Sequence, residues 1–600
     1  MKYILSLFFL CVYLSLSAHE STDVFSLLKT DIHDTDSLLS YFRNRKRIEL
    51  PGFSVEDKNT EEEQKWAEEA LEHRFFVHSG YQPSLFYGDD IDWQYWPVKD
   101  NELRWQLHRT KWWIPLGRAY RNSGDEKYAK EWVSEYIDWI KKNPLGEDYN
   151  ESNAGDPQTA DNMYFAWRPL EVSDRIEAQI IQFRLFLPSV HFTGDFLASF
   201  LTNYHRHCEH IMANFSSKGN HLLFEAQRLL YGAIFFPEFK DAERWKNKAV
   251  EILNSEIKKQ VYSDGMQYEL DPHYHLESIN IFFKALCICD ANGQREAFHR
   301  DYIDMCRKMI EVIYNYSYPD YHNPMFSDFH GQRDMIPFYT MWSEVFPEDE
   351  MMKWLATKGH EGKAPDYTSR AFDVAGYYCM RNGWDSSATV MVMKAGPKGE
   401  WHCQPDNGTF EYWRKGRNFF PDSGCYVYGG DAEILQMREW FRQTAIHNTL
   451  TLDGKNLEAT DSHLVLWEDT PSKTVCVVRN QSYKDLKHIR KVIFFKNGRV
   501  IIKDFAIGKA AGKVSIRYSL PPCEPIAVFK KNTVATNFDD GNNIVLKVKA
   551  SKCGMLMERQ EGRISYEYRH YESRPAYSYT VDKKAGENVS FTTIITPASE

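Results

Sequence analysis

Near residue 364 the apolar residues of this chain change their spacing, and that change limits the fold more than any other feature. From about residue 21 to 363 they recur at helical intervals, as in Trp132, Val133, Tyr136, Ile137 and Ile140, or Leu276, Ile279, Phe283 and Leu286. The breaks Gly124-Asp125, Asn143-Pro144, Phe236-Pro237 and Tyr318-Pro319 carry the punctuation of helix ends. After Ala364 the pattern becomes short alternating or β-branched runs, at 389–393, 500–502, 544–548 and 591–595, separated by Asp453-Gly454, Asn497-Gly498 and Asp540-Gly541. Helices followed by strands predict an α+β chain with segregated domains, the second an antiparallel sandwich. A chain of 600 residues also exceeds the roughly 250–300 at which a single core stops growing. Successive amphipathic helices on short loops permit an (α/α) toroid without selecting it over another helical array. The expected division is 1–18, 19–370 and 371–600, with the transition inside 364–378.

Met1-Lys2 followed by an apolar run at 3–16 has the charge, length and small-residue exit of a secretory signal, cleaved at Ala18 or Ser17. The run is too short to remain as a membrane span. A periplasmic or secreted product without a transmembrane segment is therefore expected. The cysteines lack the paired spacing of a disulfide framework or a zinc ribbon, and Cys287 and Cys289 read as small buried side chains. A formal charge of −11 argues against a nucleic-acid partner and offers a polyanion no global attraction, so a sulfated substrate requires a local basic cleft. With 17 Trp and 35 Tyr, rings are available to cover sugar faces, although most individual rings are expected in the core.

Three groups of residues carry possible chemistry. Asn220-His221 follows Ser217-Lys218-Gly219 and opens an apolar helix. The amide either caps that helix or meets a carboxylate at its N-terminus, and the residues alone favour capping. The segment 265–275 places Tyr274 between His273 and His275, beside Glu269, Asp271 and Pro272. This reads as a proton-transfer site in which neighbouring cations or donors lower the phenol pKa, or else as a polar turn that caps a helix. In the second half, His402, Gln404 and Asp406, then Asp422, then His447-Asn448-Thr449, punctuate strands and could share a metal or orient an imidazole. No H-E-x-x-H or C-x-x-C pattern strengthens the metal reading.

Together these segments resemble the heparinase II/III family of polysaccharide lyases, most closely its heparinase III branch. The resemblance covers nearly all of the mature chain. It rests on Ile91-Asp92-Trp93, the run from Glu102 to Arg109, Trp167-Arg168-Pro169-Leu170-Glu171, Gly219-Asn220-His221, Pro272-His273-Tyr274-His275, and the His402, Asp422 and His447 segments in that order. It implies an incomplete (α/α) toroid followed by an antiparallel β-sandwich. It also implies β-elimination at hexosamine–uronate linkages of an acidic glycosaminoglycan, heparan sulfate above others, giving 4,5-unsaturated uronate products. By the same resemblance Tyr274 is the catalytic tyrosine, Asn220 binds the uronate carboxyl group, and His221 and His402 are their partners. Trp167, Arg168 and Glu225 are expected at the substrate, and Arg104, Arg109 and Arg168 are expected to supply sulfate or carboxylate contacts. A structural divalent metal, calcium or zinc, is expected on Gln404, Asp422 and His447. Gln404 stands where heparinase II-like relatives have histidine, which shifts the expectation toward calcium. The competing readings are a lyase for alginate or hyaluronan, a glycoside hydrolase using Asp271 and Glu225, and a non-catalytic glycan-binding protein.

Overall fold

A computed structural model describes residues 24–598, apart from 79–80, 82, 99, 148, 151–161 and 459–460. The expected signal segment lies outside the described residues. Helices follow one another from Thr35–Asn44 to Glu350–Ala356, and strands dominate from Arg370–Phe372 to Val589–Pro597.

The helices form where the sequence carries both a buried stripe and an end signal. Helix Ile114–Ser123 stops at Gly124, whose φ of 70° a glycine adopts without strain, and Asp125 then caps Glu126–Lys142 by accepting from the Lys127 N–H. The buried face of this second helix is Tyr128, Ala129, Trp132, Glu135, Tyr136 and Trp139, apolar at three- and four-residue spacing except for one carboxylate. Helix Glu61–Ala70 begins with a reciprocal capping box between Thr60 and Glu63. No described helix is long and apolar enough to cross a membrane.

The strands pair antiparallel throughout the large sheets. The longest sheet joins, in spatial order, Ile526–Val528, Thr533–Ala535, Ile544–Ala550, Val589–Pro597, Val500–Ile507, Leu486–Phe495, Lys473–Tyr483 and Ser462–Asp469. A four-stranded sheet and a five-stranded sheet share a core with it, through Val492 and Ile502, Val514 and Tyr579, and Met391 and Phe410 respectively. Burial alternates residue by residue along Leu486–Phe495, as expected of a strand with one covered face. Thr389–Lys394 is buried at every position, so both of its faces are covered. One helix interrupts the strand half, Ala432–Phe441, capped by Asp431 on the N–H groups of Glu433 and Ile434.

The chain divides into two compact units that do not coincide with the change of period. The first comprises the described residues up to Ile257 together with Asn280–Ile303, and the second comprises Lys258–Ile279 and the chain from Asp304 onward. Helical residues join the strands in the second unit because polar contacts tie them there. Tyr377 Oη donates to the Leu270 carbonyl at 2.6 Å, and Arg381 Nη2 donates to the carbonyls of Asn315 and Ser317 at 2.6 and 2.8 Å. At Gly265 a Cβ would lie 2.5 Å from the Lys308 carbonyl oxygen, so only glycine allows the 265–275 segment to approach helix Arg300–Tyr316 so closely.

Candidate active site

The 265–275 segment ends in a strained turn and a capped helix. Leu270 has a φ of 55°, a region that costs a non-glycine residue free energy, and its carbonyl is held by Tyr377. Asp271 Oδ1 accepts from the N–H groups of His273 and Tyr274 at 2.7 and 3.0 Å, and Pro272 opens helix Pro272–Ala291. Tyr274 is thereby fixed on the first turn of a rigid element.

Of the two histidines beside Tyr274 in sequence, His273 meets its ring edge to face, with centroids 5.4 Å apart, and His275 faces elsewhere. His275 is fully buried, donating from Nε2 to the Met309 carbonyl (3.0 Å) and accepting the Gln267 N–H at Nδ1. His273 packs its ring 4.1 Å from that of His330. Burial pushes both His273 and His275 toward the neutral form. Burial likewise drives the Tyr274 phenol well above its ordinary pKa, and a hydrogen bond from Tyr428 pulls it only partly back. The expected lowering by neighbouring cations is thus reversed, and Tyr274 rests as a neutral phenol.

The imidazole that does meet Tyr274 comes from 128 positions along the chain, by subtraction of 274 from 402. The rings of Tyr274 and His402 stack with centroids 3.6 Å apart and planes 9° from parallel. His402 Nδ1 lies 3.0 Å from Asp328 Oδ2. Asp328 is completely buried and accepts also from Arg438 Nη2 (2.8 Å), Arg442 Nη1 (3.0 Å) and Gln404 Nε2 (3.1 Å). Burial alone would raise this carboxyl, yet the His402 hydrogen bond and the charges of Arg438 and Arg442 hold it down to about 2. An ionised carboxylate can only accept, so Nδ1 carries a proton and Nε2 is the nitrogen that bears the lone pair whenever the ring is neutral. Tyr428 completes the group, with its Oη 2.6 Å from His330 Nδ1 and 3.2 Å from the Asp328 carbonyl.

Asp328, Tyr428, His330, Arg438 and Arg442 are the residues that sequence reasoning missed. One signal was present: Arg438 and Arg442 are four apart at the end of the helix announced by Asp431. Their common carboxylate is more than 100 positions away.

The remaining residues expected at the substrate lie in the first unit. Asn220 and His221 are the second and third residues of helix Gly219–Phe235, whose N-cap is Lys218. Asn220 is therefore not the capping residue, and its half-buried amide sits on the turn whose N–H groups have no intrahelical acceptor. Trp167 is 1% exposed, with its indole N–H donated to the Asn143 carbonyl at 2.9 Å and its ring against His207 and His210. It is core and presents no face to a sugar, which corrects its assignment to the substrate. Glu225 is also corrected. It is fully buried and accepts from the Ser216 N–H and hydroxyl at 2.7 and 2.6 Å, bracing the turn before Asn220. Arg168 stays partly exposed beside Glu171 and over the Trp105 ring. Arg109 is matched by Glu102, Glu171 and Asp174, and Arg104 is held between the rings of Trp96 and Phe165. Neither of these two guanidinium groups is disposed toward a sulfate as expected.

The expected metal residues divide into two contacts in the second unit. His447 Nδ1 lies 2.8 Å from Asp422 Oδ2, both groups being buried. Gln404 Nε2 donates to the Ser327 carbonyl and to Asp328. Gln404 Oε1 and His447 Nε2 are buried atoms without a hydrogen-bond partner among the described residues.

Residues 13–354 match the family described as Heparinase II/III N-terminus, and residues 364–591 match Heparinase II/III-like, C-terminal. A heparin-sulfate lyase of Bacteroides stercoris is 48% identical over 621 aligned positions, covering 99% of this chain and 93% of that protein. One from Pedobacter heparinus is 43% identical, covering 94% of this chain and 85% of that protein. Among solved structures, a heparinase III aligns with a TM-score of 0.88 at 31% identity, over 96% of this chain and 93% of the other. A heparan sulfate lyase from Pedobacter heparinus aligns at 0.74 and 41% identity, over 94% and 88%. With both halves matched in order and these relatives covered nearly end to end, the chain belongs to the heparinase II/III family.

Proposed function

We propose that this protein is a heparan sulfate lyase that breaks hexosamine–uronate linkages by β-elimination. The observation that carries the reading is the stacked Tyr274–His402 pair with Asp328 behind the imidazole. It unites a neutral phenol, able to give a proton, with an imidazole held in the tautomer able to take one. In the reaction a base removes the uronate C5 proton, the C4–O4 bond breaks as the C4–C5 double bond forms, and O4 leaves with a proton. Tyr274 supplies the proton to O4. For an iduronate, whose C5–H lies on the opposite face, His402 is the base. For a glucuronate Tyr274 fills both roles, and must first yield its proton, for which Tyr428, itself hydrogen-bonded to His330, is the neighbour.

The carboxylate of the sugar must be neutralised before C5 can lose its proton, because the developing enolate adds charge to it. Asn220, with His221, fills this role on the first turn of its helix, where exposed N–H groups and the helix dipole favour an anion. Arg168 is the remaining candidate for a substrate contact. Gln404, Asp422 and His447 fit a divalent ion, calcium or zinc, since the first and last each offer a buried acceptor with no other partner and Asp422 offers charge. Such an ion would brace the strand ends that carry His402. The opening 18 residues act as an export signal, so the working protein is periplasmic or secreted; N-terminal sequencing of the mature product tests this. The hydrolase reading finds no support in its two carboxylates, since Asp271 caps a helix and Glu225 holds Ser216.

Incubation with heparan sulfate, heparin, hyaluronan, chondroitin sulfate and alginate, followed by ultraviolet absorbance of the unsaturated uronate, tests the proposal. Absorbance should rise fastest with heparan sulfate. Cleavage without absorbance would mean hydrolysis, and no cleavage would mean binding alone.

A further inference from the structure

One buried carboxylate in the first unit has no role in the chemistry above. Glu135 lies on the otherwise apolar face of helix Glu126–Lys142 and is 1% exposed. Its Oε2 accepts from the Trp113 indole N–H at 2.5 Å, while its Oε1 is buried with no hydrogen-bond partner among the described residues. One helical turn earlier, Glu131 presents a second carboxylate on the same side. Two like charges at this spacing repel, and among the described residues no Lys or Arg pairs with either. An unpaired buried carboxylate is costly unless a cation or a proton satisfies it.

The third member of the group is His73. Its Nδ1 lies 2.7 Å from the Gly88 carbonyl oxygen, which can only accept, so Nδ1 carries a proton and Nε2, after yielding the proton it shares with Glu131, is the nitrogen that would meet an ion. Nε2 is 3.3 Å from Glu131 Oε1. Backing of a ring N–H by a carbonyl is the arrangement that orients a metal-binding imidazole. His73 itself is held at a φ of 53°, in the turn between helix Glu61–Ala70 and the strand Arg74–Phe75. One donor atom each from His73, Glu131 and Glu135 lies within 4.8 Å of the others. Ligands about 2.1 Å from a common ion stand roughly 3–3.6 Å apart, so the donor atoms need to close by no more than about 1–2 Å, within reach of a side-chain adjustment. His73 and Glu131 keep 22% and 26% side-chain exposure, which leaves an ion a path from solvent.

We propose that His73, Glu131 and Glu135 form a binding site for a divalent transition ion of the zinc class. One imidazole nitrogen and two carboxylates make a three-ligand donor set that leaves a position for water. The site ties the two-stranded ribbon of Arg74–Phe75 and Leu85–Phe86 to helix Glu126–Lys142, and its role is to hold that fold element.

The test is titration of the metal-stripped full-length protein with zinc chloride, comparing the parent with H73A and E131Q. Both substitutions are at partly exposed positions, and E131Q preserves shape. Subtracting variant from parent cancels any other metal site. The parent should bind one more zinc equivalent than either variant, with micromolar or tighter affinity, and zinc should raise the parent's Tm by more than it raises theirs. Circular dichroism of the metal-free proteins verifies that the variants are folded. Should one fail to fold, the other carries the comparison. Equal stoichiometry in parent and folded variant would overturn the site, as would a parent that binds the additional equivalent only at millimolar zinc.

Discussion

Replacing Asp328 by Asn changes one buried oxygen to an amide and removes the charge on which four donors converge. Asn keeps one acceptor but turns its NH2 toward His402 and Arg438 if it replaces Oδ2, or toward Arg442 and Gln404 if it replaces Oδ1. Removing one partner of a buried ion pair costs about 3–5 kcal/mol. Arg438 and Arg442 retain 15% and 22% exposure, so water screens the orphaned guanidinium groups and about 2 kcal/mol is expected. The effect on turnover should be larger. Once Asp328 no longer selects the Nδ1–H tautomer and ring position, His402 loses most of a contribution worth about 100- to 10,000-fold, and we expect a loss of about 100-fold or more in kcat. The assay is initial-rate absorbance on heparan sulfate with D328N, H402A and the double variant, alongside denaturant unfolding. Because Asp328 acts through His402, D328N should cost only a few-fold more once His402 is already Ala. The stability difference also has a pH signature. The folded-state pKa of Asp328 is depressed from 3.8 to about 2, so its contribution is complete above about pH 4 and fades as pH falls through about 2. Parent and D328N should converge there. A folded D328N with near-parental turnover, or an undiminished effect in the H402A background, would refute the positioning role.

Three further outcomes follow from the same geometry. Tyr274→Phe removes the transferable proton but keeps the ring stacked on His402, so turnover should fall about 100-fold or more with unfolding unchanged, and near-parental rates on every substrate would eliminate the acid. Trp167→Ala should destabilise by about 3–5 kcal/mol in denaturant titrations, since it empties a core position; a raised KM with full stability would restore it to the substrate. Low-sulfate heparan sulfate should be cleaved with higher kcat/KM than heparin at matched uronate and ionic strength, because Arg104 and Arg109 are engaged internally, and the reverse order would show basic contacts elsewhere.

Local grammar made the order of elements legible. Gly124-Asp125 does end one helix and begin the next, and the runs near 389, 500, 544 and 591 lie within strands. These features depend on a few adjacent residues and on periods of two or 3.6, which sequence displays directly. Tyr274 was likewise visible as a candidate, and the structure places it on the first turn of helix Pro272–Ala291, although in a different environment from the one expected. Its sequence neighbour His275 turns to Met309 and Gln267, His273 lies edge-on to it while packing on His330, and burial, a property of the folded interior, moves its phenol in the opposite direction to that expected.

Residues brought together from afar could not be read this way. Trp167 and Glu225 look like binding residues in a one-dimensional string, yet packing makes one a core ring and the other a brace for Ser216. Asp328 meets His402, Arg438 and Arg442 only because strands, a turn and a helix fold around it, and nothing in Ser327-Asp328-Phe329 announces that convergence. The sequence determined the elements because backbone preference and side-chain periodicity are local. Only the tertiary structure decided which charge faces which imidazole and which groups lose water, because both depend on neighbours that the chain supplies from 74 to 114 positions away.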